Sequence, residues 1–354
     1  MAERKRSSAG GGRQKRSMRV ASRAERTAPV AERRHDVPEV MRAAAIDRFG
    51  GPEVLTLHRL PVPVTTANEV LIAVDTAGVG SWDADMRAGW WPEGRPRFPL
   101  VLGSDGAGIV AAVGARVRRF KPGDRVYAYS FANPKGGFYA EFVAVAVEGV
   151  APVPAGLDLE HAGAVPTIGL TALQGVDEAL RVKEGEAVIV HGASGGVGHL
   201  ALQFAKFRGA RVLATASGDD GVAFVRRLGA DDAVDGKKDE IAAAARAFAS
   251  DGVDAVLALA GGPALTQCLD ALRQGGRLAY PNGVEPKPRK RRGIEVTAYD
   301  GVADAVHWQR LGRAIEAAKP EIVIAESFPL EEAAAAHRRI EAGHVLGKVV
   351  LGIR

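Results

Sequence analysis

The run Val188-Ile189-Val190-His191-Gly192-Ala193-Ser194-Gly195-Gly196-Val197-Gly198 sets four glycines directly after an apolar stretch and ahead of a helical pattern that continues through Lys206. Glycine at such spacing permits a tight turn, lets backbone approach an anion, and allows a helix to pack closely on a strand. A helix that opens there presents free N–H groups and the positive end of its dipole. The chemistry expected is retention of a dinucleotide pyrophosphate, with Gly192, Ala193, Ser194, Gly195, Gly196, Val197 and Gly198 as the cradle.

Dinucleotide choice is usually set at the end of the next strand, where NAD enzymes place a carboxylate against the ribose hydroxyls. Here Arg211-Val212-Leu213-Ala214-Thr215 runs into Ala216 and Ser217. A small neutral residue removes the charge that would repel a 2′-phosphate, so NADPH is expected over NADH. Asp219 and Asp220 follow and read as helix N-terminal residues, favoured by the dipole.

Chemistry through a multi-cysteine metal site is excluded, because Cys268 is the single cysteine of the chain. The same count excludes an intramolecular disulfide framework. The eight histidines show no ligand-like clustering; His161, His191, His199 and His337 read as structural or surface residues. No metal is expected.

These residues need a scaffold, and the chain of 354 residues is long enough for two compact units. From Met41 the texture is short β-rich runs separated by Gly, Pro and Asp turns, which predicts a compact, mostly antiparallel β-domain over 41–158. From about Leu159 apolar strands alternate with helical segments, which predicts a parallel sheet over 159–317. The last stretch reads as an amphipathic helix, a Gly-containing turn and an apolar strand. Such a strand needs a sheet to satisfy its backbone, so 318–354 is expected to complete the first domain.

Residues 1–40 hold eleven Lys/Arg against five Asp/Glu with no sustained apolar period and are expected to be a disordered basic tail. Its removal takes the formal charge from +5 to about −1, so the body is not a basic nucleic-acid binder. No apolar run reaches the ~20 residues that cross a bilayer. A cytoplasmic enzyme is expected.

Taken together these features resemble the medium-chain dehydrogenase/reductases, and within them the zinc-free quinone oxidoreductase and zeta-crystallin branch. The carriers are FGGPEVL at 49–55, AGVGSWDADMRAG at 77–89, LGSDGAGIVAAVG at 102–114, FKPGDRV at 120–126, YAEF at 139–142, HGASGGVG at 191–198, LGAD at 228–231 and AHRRIEAGHVLGK at 336–348. The resemblance implies a GroES-like catalytic domain, a Rossmann domain, a cleft between them, and a homodimer often joined through the Rossmann sheets. It also places Thr167 and Thr171 beside a nicotinamide, Ala260 and Gly261 at the end of the fourth Rossmann strand, Pro281-Asn282-Gly283 in a loop facing the ring, and Lys348 on the cofactor side. A surface lysine flanking a strand is the competing reading of Lys348.

The chain departs from that branch at Gly80, where Asn is common, and at Gly221 and Gly236, where Lys and Tyr commonly surround a 2′-phosphate. Lys237, Lys238 or the run Arg289-Lys290-Arg291-Arg292 are alternative sources of that charge. The function implied is NADPH-dependent hydride transfer to a quinone or another conjugated carbonyl without zinc, because such an acceptor spreads the developing charge by itself. Ser81, Asp83 and Tyr139 are the candidate catalytic side chains. Trp82, Trp90 and Trp91 are candidates for an apolar wall against a flat substrate. Two other readings compete: an enoyl or alkenal reductase acting on C=C, and a non-catalytic NADPH-binding protein of crystallin-like or nucleic-acid-associated type.

Overall fold

The computed structural model describes residues 37–92 and 94–354. Most of the expected tail therefore lies outside the described residues, although its last residue, Val40, opens the first strand. The chain begins with β1 (Val40–Ile46), β2 (Thr56–Pro61), β3 (Glu69–Val79), α1 (Ser81–Ala88), β4 (Leu100–Val101), β5 (Asp105–Val113), β6 (Arg125–Tyr129), β7 (Phe142–Ala146) and β8 (Val150–Pro152). It continues with α2 (Leu159–Ala164), α3 (Pro166–Gln174), β9 (Ala187–His191), α4 (Gly196–Phe207), β10 (Arg211–Ala216), α5 (Gly218–Arg227), β11 (Asp232–Asp235) and α6 (Ile241–Phe248). The last elements are β12 (Val253–Ala258), α7 (Pro263–Asp270), β13 (Leu272–Pro281), β14 (Glu295–Tyr299), α8 (Ala305–Ala318), β15 (Ile324–Pro329), α9 (Ala333–Glu341) and β16 (Lys348–Gly352).

Strands β9 to β14 form one wholly parallel sheet in the order β11-β10-β9-β12-β13-β14. This is the doubly wound dinucleotide order, in which chain direction across the sheet reverses between β9 and β12. The period of two within each strand sorts its side chains to opposite faces. Val188 and Val190 pack with Leu200, Phe204 and Leu311 on one side, while Ala187 and Ile189 pack with Ile241, Leu265 and Cys268 on the other.

The β-rich part is built around β3. Its first half pairs with β7 and its second half with β16, while β5 runs along its other edge. The C-terminal strand thus enters a sheet of order β15-β16-β3-β5-β6-β8, and a smaller sheet of order β2-β1-β4 packs into the same core. The antiparallel pairing of β3 with both β5 and β16 puts the start of β5 and the start of β16 beside the end of β3. The site depends on that register.

Candidate active site

The glycine-rich turn leaves β9 at His191 and opens α4 at Gly196. Gly192 has φ +79°, a left-handed conformation that favours glycine. A Cβ at Gly198 would lie 2.2 Å from the Gly192 carbonyl oxygen and 2.7 Å from Ala193 Cα, so the helix can approach the strand this closely only without a side chain there. Above Gly195 the situation is reversed, since a Cβ would find its nearest neighbour 3.7 Å away. The turn is closed behind and open in front. The first amides of α4 have no carbonyl one turn back to bond, so they can accept a phosphate in that open space.

Ser194, Ala216, Gly221 and Leu346 lie together next to the turn. A Cβ at Gly221 would meet Ala216 Cβ at 3.3 Å, Leu346 Cδ2 at 3.8 Å and Ser194 Oγ at 3.8 Å. A Cβ at Gly236 would have Ala216 O and Thr215 atoms as its nearest contacts, so Gly221 and Gly236 both border Ala216. Ser217 is the N-cap of α5 and its hydroxyl makes no capping bond. Asp220 instead bonds the Gly221 amide and the His344 ring. The run 289–292 is not part of this region, because it lies between β13 and β14 and is tied to the start of β13 through a bond from Gly275 N–H to Gly293 O.

Beside the glycine-rich turn, α1, β5, α3 and β16 bring four buried polar atoms together. Among the described residues, Trp82 Nε1, Asp105 Oδ1, Thr167 Oγ1 and Lys348 Nζ have no partner within the protein. They are neighbours. Thr167 N–H donates to Asp105 Oδ2 at 2.9 Å, and Lys348 Nζ lies 4.9 Å from the Trp82 ring centre. A Cβ at Gly78 would come 2.5 Å from Asp105 Oδ1 and 3.0 Å from Lys348 Cε. Lys348 also reaches the glycine-rich turn, with its Cδ 3.8 Å from where a Cβ of Gly196 would stand. The surface reading of Lys348 is corrected here: it is 3% exposed, because β16 lies between β15 and β3.

Asp83 lies behind this group in α1, fully buried, accepting from Gly80 N–H at 2.8 Å, Ser104 Oγ–H at 3.2 Å and Tyr139 O–H at 3.3 Å. Burial pushes its carboxyl up to about 7 against the pull of the Gly80 amide. Tyr139 is equally buried, and its hydroxyl pairs with His337 Nε2 at 3.2 Å as well as with Asp83. His337 Nδ1 accepts from Arg87, which also pairs with Glu341. Burial, helped by Arg87, pushes His337 down to about 3, so this ring is neutral and its Nε2–H points at the tyrosine oxygen. Ser81, the first residue of α1, is exposed. At Gly80 a Cβ would fall 2.3 Å from Trp82 Cε2, so the indole fills the place a side chain at position 80 would take. Trp90 is exposed and its ring lies 6.0 Å from that of Phe131, whereas Trp82 and Trp91 pack against the β-rich core.

The remaining expected residues lie around the ends of the parallel strands. Thr171 Oγ1 bonds the Thr167 carbonyl, one turn back in α3. Pro281 ends β13, Asn282 donates to the Tyr299 carbonyl and to Asp300, and Gly283 turns with φ +98°. Ala260 and Gly261 do not end the fourth strand of the parallel sheet. β12 stops at Ala258, and the pair lies in the following loop, where a Cβ on Gly261 would fall 2.0 Å from the Glu285 carbonyl oxygen. That close approach of two loops takes the chain off the ladder. Sequence reasoning did not single out Asp105, His337, Arg87 or His344 for this region.

Among the described residues no group of three or more His, Cys, Asp or Glu is placed to hold a metal ion. Cys268 is buried in α7, and burial pushes its thiol up to about 12. None of the helices described is long and apolar enough to cross a membrane.

A parallel sheet in dinucleotide order joined to a β-rich body defines a two-part, nucleotide-dependent oxidoreductase. The comparisons with known proteins agree. The family described as alcohol dehydrogenase GroES-like domain matches residues 66–155, and that described as zinc-binding dehydrogenase matches residues 228–351. The quinone oxidoreductase of Mus musculus is 34% identical over 329 residues, covering 88% of this chain and 98% of the relative. The solved structure of a quinone oxidoreductase from Coxiella burnetii superposes with a TM-score of 0.80 at 32% identity, covering 89% of this chain and 100% of that one. A mycobacterial protein solved in complex with NADPH gives a TM-score of 0.78 at 30% identity, covering 88% and 100%. The chain belongs to the quinone oxidoreductase branch of the medium-chain dehydrogenase/reductase superfamily, and is an oxidoreductase that uses a nicotinamide nucleotide.

Proposed function

We propose that the chain is an NADPH-dependent reductase that transfers hydride to a quinone or another conjugated carbonyl without zinc. The observation that carries this reading is an open glycine turn at the start of α4 with a buried polar group beside it that includes Lys348. The donor set supports a reaction without zinc, since position 80 is a glycine covered by Trp82 and the lone cysteine is buried elsewhere.

The amides that open α4 hold the pyrophosphate, aided by Lys348 from β16. Ala216 and Ser217 receive the adenosine ribose, and Gly221 and Gly236 leave room beside it for a 2′-phosphate. Thr167, Thr171, Ala260, Gly261 and the turn Pro281-Asn282-Gly283 border the nicotinamide end. When bound, the nicotinamide supplies the hydride. Trp82 and Trp90 offer a flat apolar wall to the acceptor. Of the three catalytic candidates, Ser81 is the exposed one, so it orients the acceptor oxygen, with solvent as the proton source. Asp83 and Tyr139 hold α1 in place through their mutual bond.

The reading extends to a cytoplasmic homodimer, supported by the edge position of β14, whose outer backbone can pair with a second copy. It divides the chain into a GroES-like domain over 41–158, completed by 318–354, and a Rossmann domain over 159–317. Anaerobic NADPH oxidation with 1,4-benzoquinone and with an α,β-unsaturated aldehyde, followed by product analysis, tests the reading. Hydroquinone is the expected product. Efficient formation of the saturated aldehyde with no quinone turnover would overturn it in favour of C=C reduction.

A further inference from the structure

Tyr129 ends β6, and three parts of the site meet at its side chain. The first is the polar group. Tyr129 stands directly opposite Asp105 in the antiparallel pair of β5 and β6, and residues paired in this way share a face of the sheet. On that face Asp105 accepts from the Thr167 N–H of α3, and its Oδ1 has no partner among the described residues. The alternation of the strands agrees, because Ala107, Tyr127 and Tyr129 all pack into the core that contains α3 and the parallel sheet.

The second part is the loop after β14. A Cβ at Gly301 would stand 2.8 Å from Thr171 Oγ1, so this loop abuts α3, and Asp300 within it accepts from Asn282 at 2.8 Å. Burial pushes the Tyr129 hydroxyl well above its ordinary value, and the charges of Asp105 and then Asp300 push it further, so the hydroxyl feels both acids and keeps its proton. The third part is aromatic. The Tyr129 ring lies 6.5 Å from that of Phe131 and 21° from parallel, and Phe131 in turn lies 6.0 Å from Trp90. Tyr127, two residues earlier on the same face, is fully buried, whereas Tyr129 is half-buried. The hydroxyls of Tyr139 and Tyr299 are bonded within the protein; that of Tyr129 makes no hydrogen bond among the described residues.

We infer that Tyr129 is a catalytic hydrogen-bond donor, whose O–H bonds the carbonyl oxygen of the acceptor as negative charge develops there. The inference rests on the proposed hydride transfer and adds the donor that stabilises its charge. When a conjugated carbonyl receives a hydride with its electron pair, the oxygen becomes an oxyanion, and a proton from solvent completes the hydroxyl of the product. Tyr129 retains its own proton throughout, because Asp105 and Asp300 disfavour its loss. A fixed donor at that oxygen acts most strongly where charge is greatest, which is after the hydride has arrived.

The test is Tyr129→Phe in the full chain, which removes the hydroxyl and keeps the ring beside Phe131. With 1,4-benzoquinone, kcat/KM should fall about 30-fold, while NADPH affinity and Tm stay at their wild-type values. Equilibrium binding to the chain saturated with NADP+ gives a readout independent of turnover. There 4-nitrophenolate, a ring that carries an oxyanion, should bind about tenfold more weakly to the variant, whereas nitrobenzene, which lacks the oxygen, should bind both proteins equally. Unchanged kcat/KM, unchanged 4-nitrophenolate affinity, an equal loss for both ligands, or a fall in NADPH affinity or Tm that accompanies the loss of turnover would overturn the role of Tyr129. The broader reading fails separately, on the absence of quinone turnover by the wild type.

Discussion

The glycine-rich turn after β9 and the polar group of Trp82, Asp105, Thr167 and Lys348 lie side by side, and they are built in opposite ways. The turn is made of backbone from a single stretch, residues 192–198, and it works by leaving side chains out. The polar group is made of side chains from α1, β5, α3 and β16, which are up to 266 positions apart from Trp82 to Lys348, and it works by burying polar atoms that the protein itself does not satisfy. One site is local and satisfied by geometry. The other is assembled by register and waits for a partner, which is why a change in the first should strike both folding and binding, while a change in the second should trade one against the other.

Gly198→Val should have the largest effect. The added atoms run into the Gly192 carbonyl and Ala193, backbone that has nowhere to move, so dinucleotide affinity should drop by about 100-fold or more, with a lowered Tm. Gly195→Ala, three residues earlier but facing open space, should cost far less affinity and little stability. Calorimetric titration with NADPH and a melting curve on each variant check the pair; equal losses would remove the distinction between the closed and open sides of the turn.

Lys348→Met should separate stability from binding. Its buried nitrogen has no hydrogen-bond partner among the described residues, so replacing it by an apolar chain of similar length should raise the Tm of the protein without nucleotide by a few degrees, while weakening NADPH binding roughly tenfold. A fall in both would mean that Lys348 is a structural residue and that the polar group is not a binding surface.

The pH dependence of stability sharpens the same contrast. His191, His199 and His337 are held by burial at about 4, about 4 and about 3, below the ordinary value of 6.5, so the unfolded chain binds their protons first and stability is lost as pH falls from 6.5 toward 4. Asp83 acts the other way. Its folded value of about 7 is above the ordinary 3.8, so its contribution is present at low pH and is lost as pH rises through 7. The wild type should therefore lose Tm between pH 6.5 and 4.5, and Asp83→Asn should lose it more steeply because the opposing contribution is gone. Parallel melting curves would contradict the buried, raised carboxyl.

Ala216→Asp should produce the smallest change. A carboxylate beside Gly221 and Gly236 should weaken NADPH roughly fivefold relative to NADH, with turnover of the bound enzyme nearly unaltered. An unchanged ratio would move the ribose away from Ala216.

What could be read from the sequence follows the same division. The parallel sheet was legible because its apolar strands alternate with helical periods, and the turn at 192–198 was legible because glycines at fixed offsets carry their own geometry. Gly221 and Gly236 could be noted as departures, but that both border Ala216 is a fact of the fold. Lys348 was ambiguous, since a lysine at the start of a strand is ordinarily exposed, and only the insertion of β16 beside β3 buries it. The chain from Glu341 through Arg87, His337 and Tyr139 to Asp83 joins residues up to 258 positions apart and has no local pattern. His344 and Asp220 meet for the same reason, across 124 positions, where the turn before β16 reaches the start of α5. The family resemblance carried the end of β12 on to Ala260 and Gly261, whereas the strand stops at Ala258 and Gly261 packs against the loop at Glu285.

The central claim is hydride transfer from a dinucleotide held at the glycine turn to a conjugated acceptor, with no metal taking part. It is tested most directly by incubating protein of known metal content with stoichiometric NADPH and 1,4-benzoquinone in the absence of oxygen, with and without a zinc chelator. The account predicts that one hydroquinone forms for each NADPH consumed, at the same rate in both samples and with less than stoichiometric zinc in the protein. Loss of the reaction in chelator with recovery on adding zinc, or no consumption of NADPH at all, would contradict it.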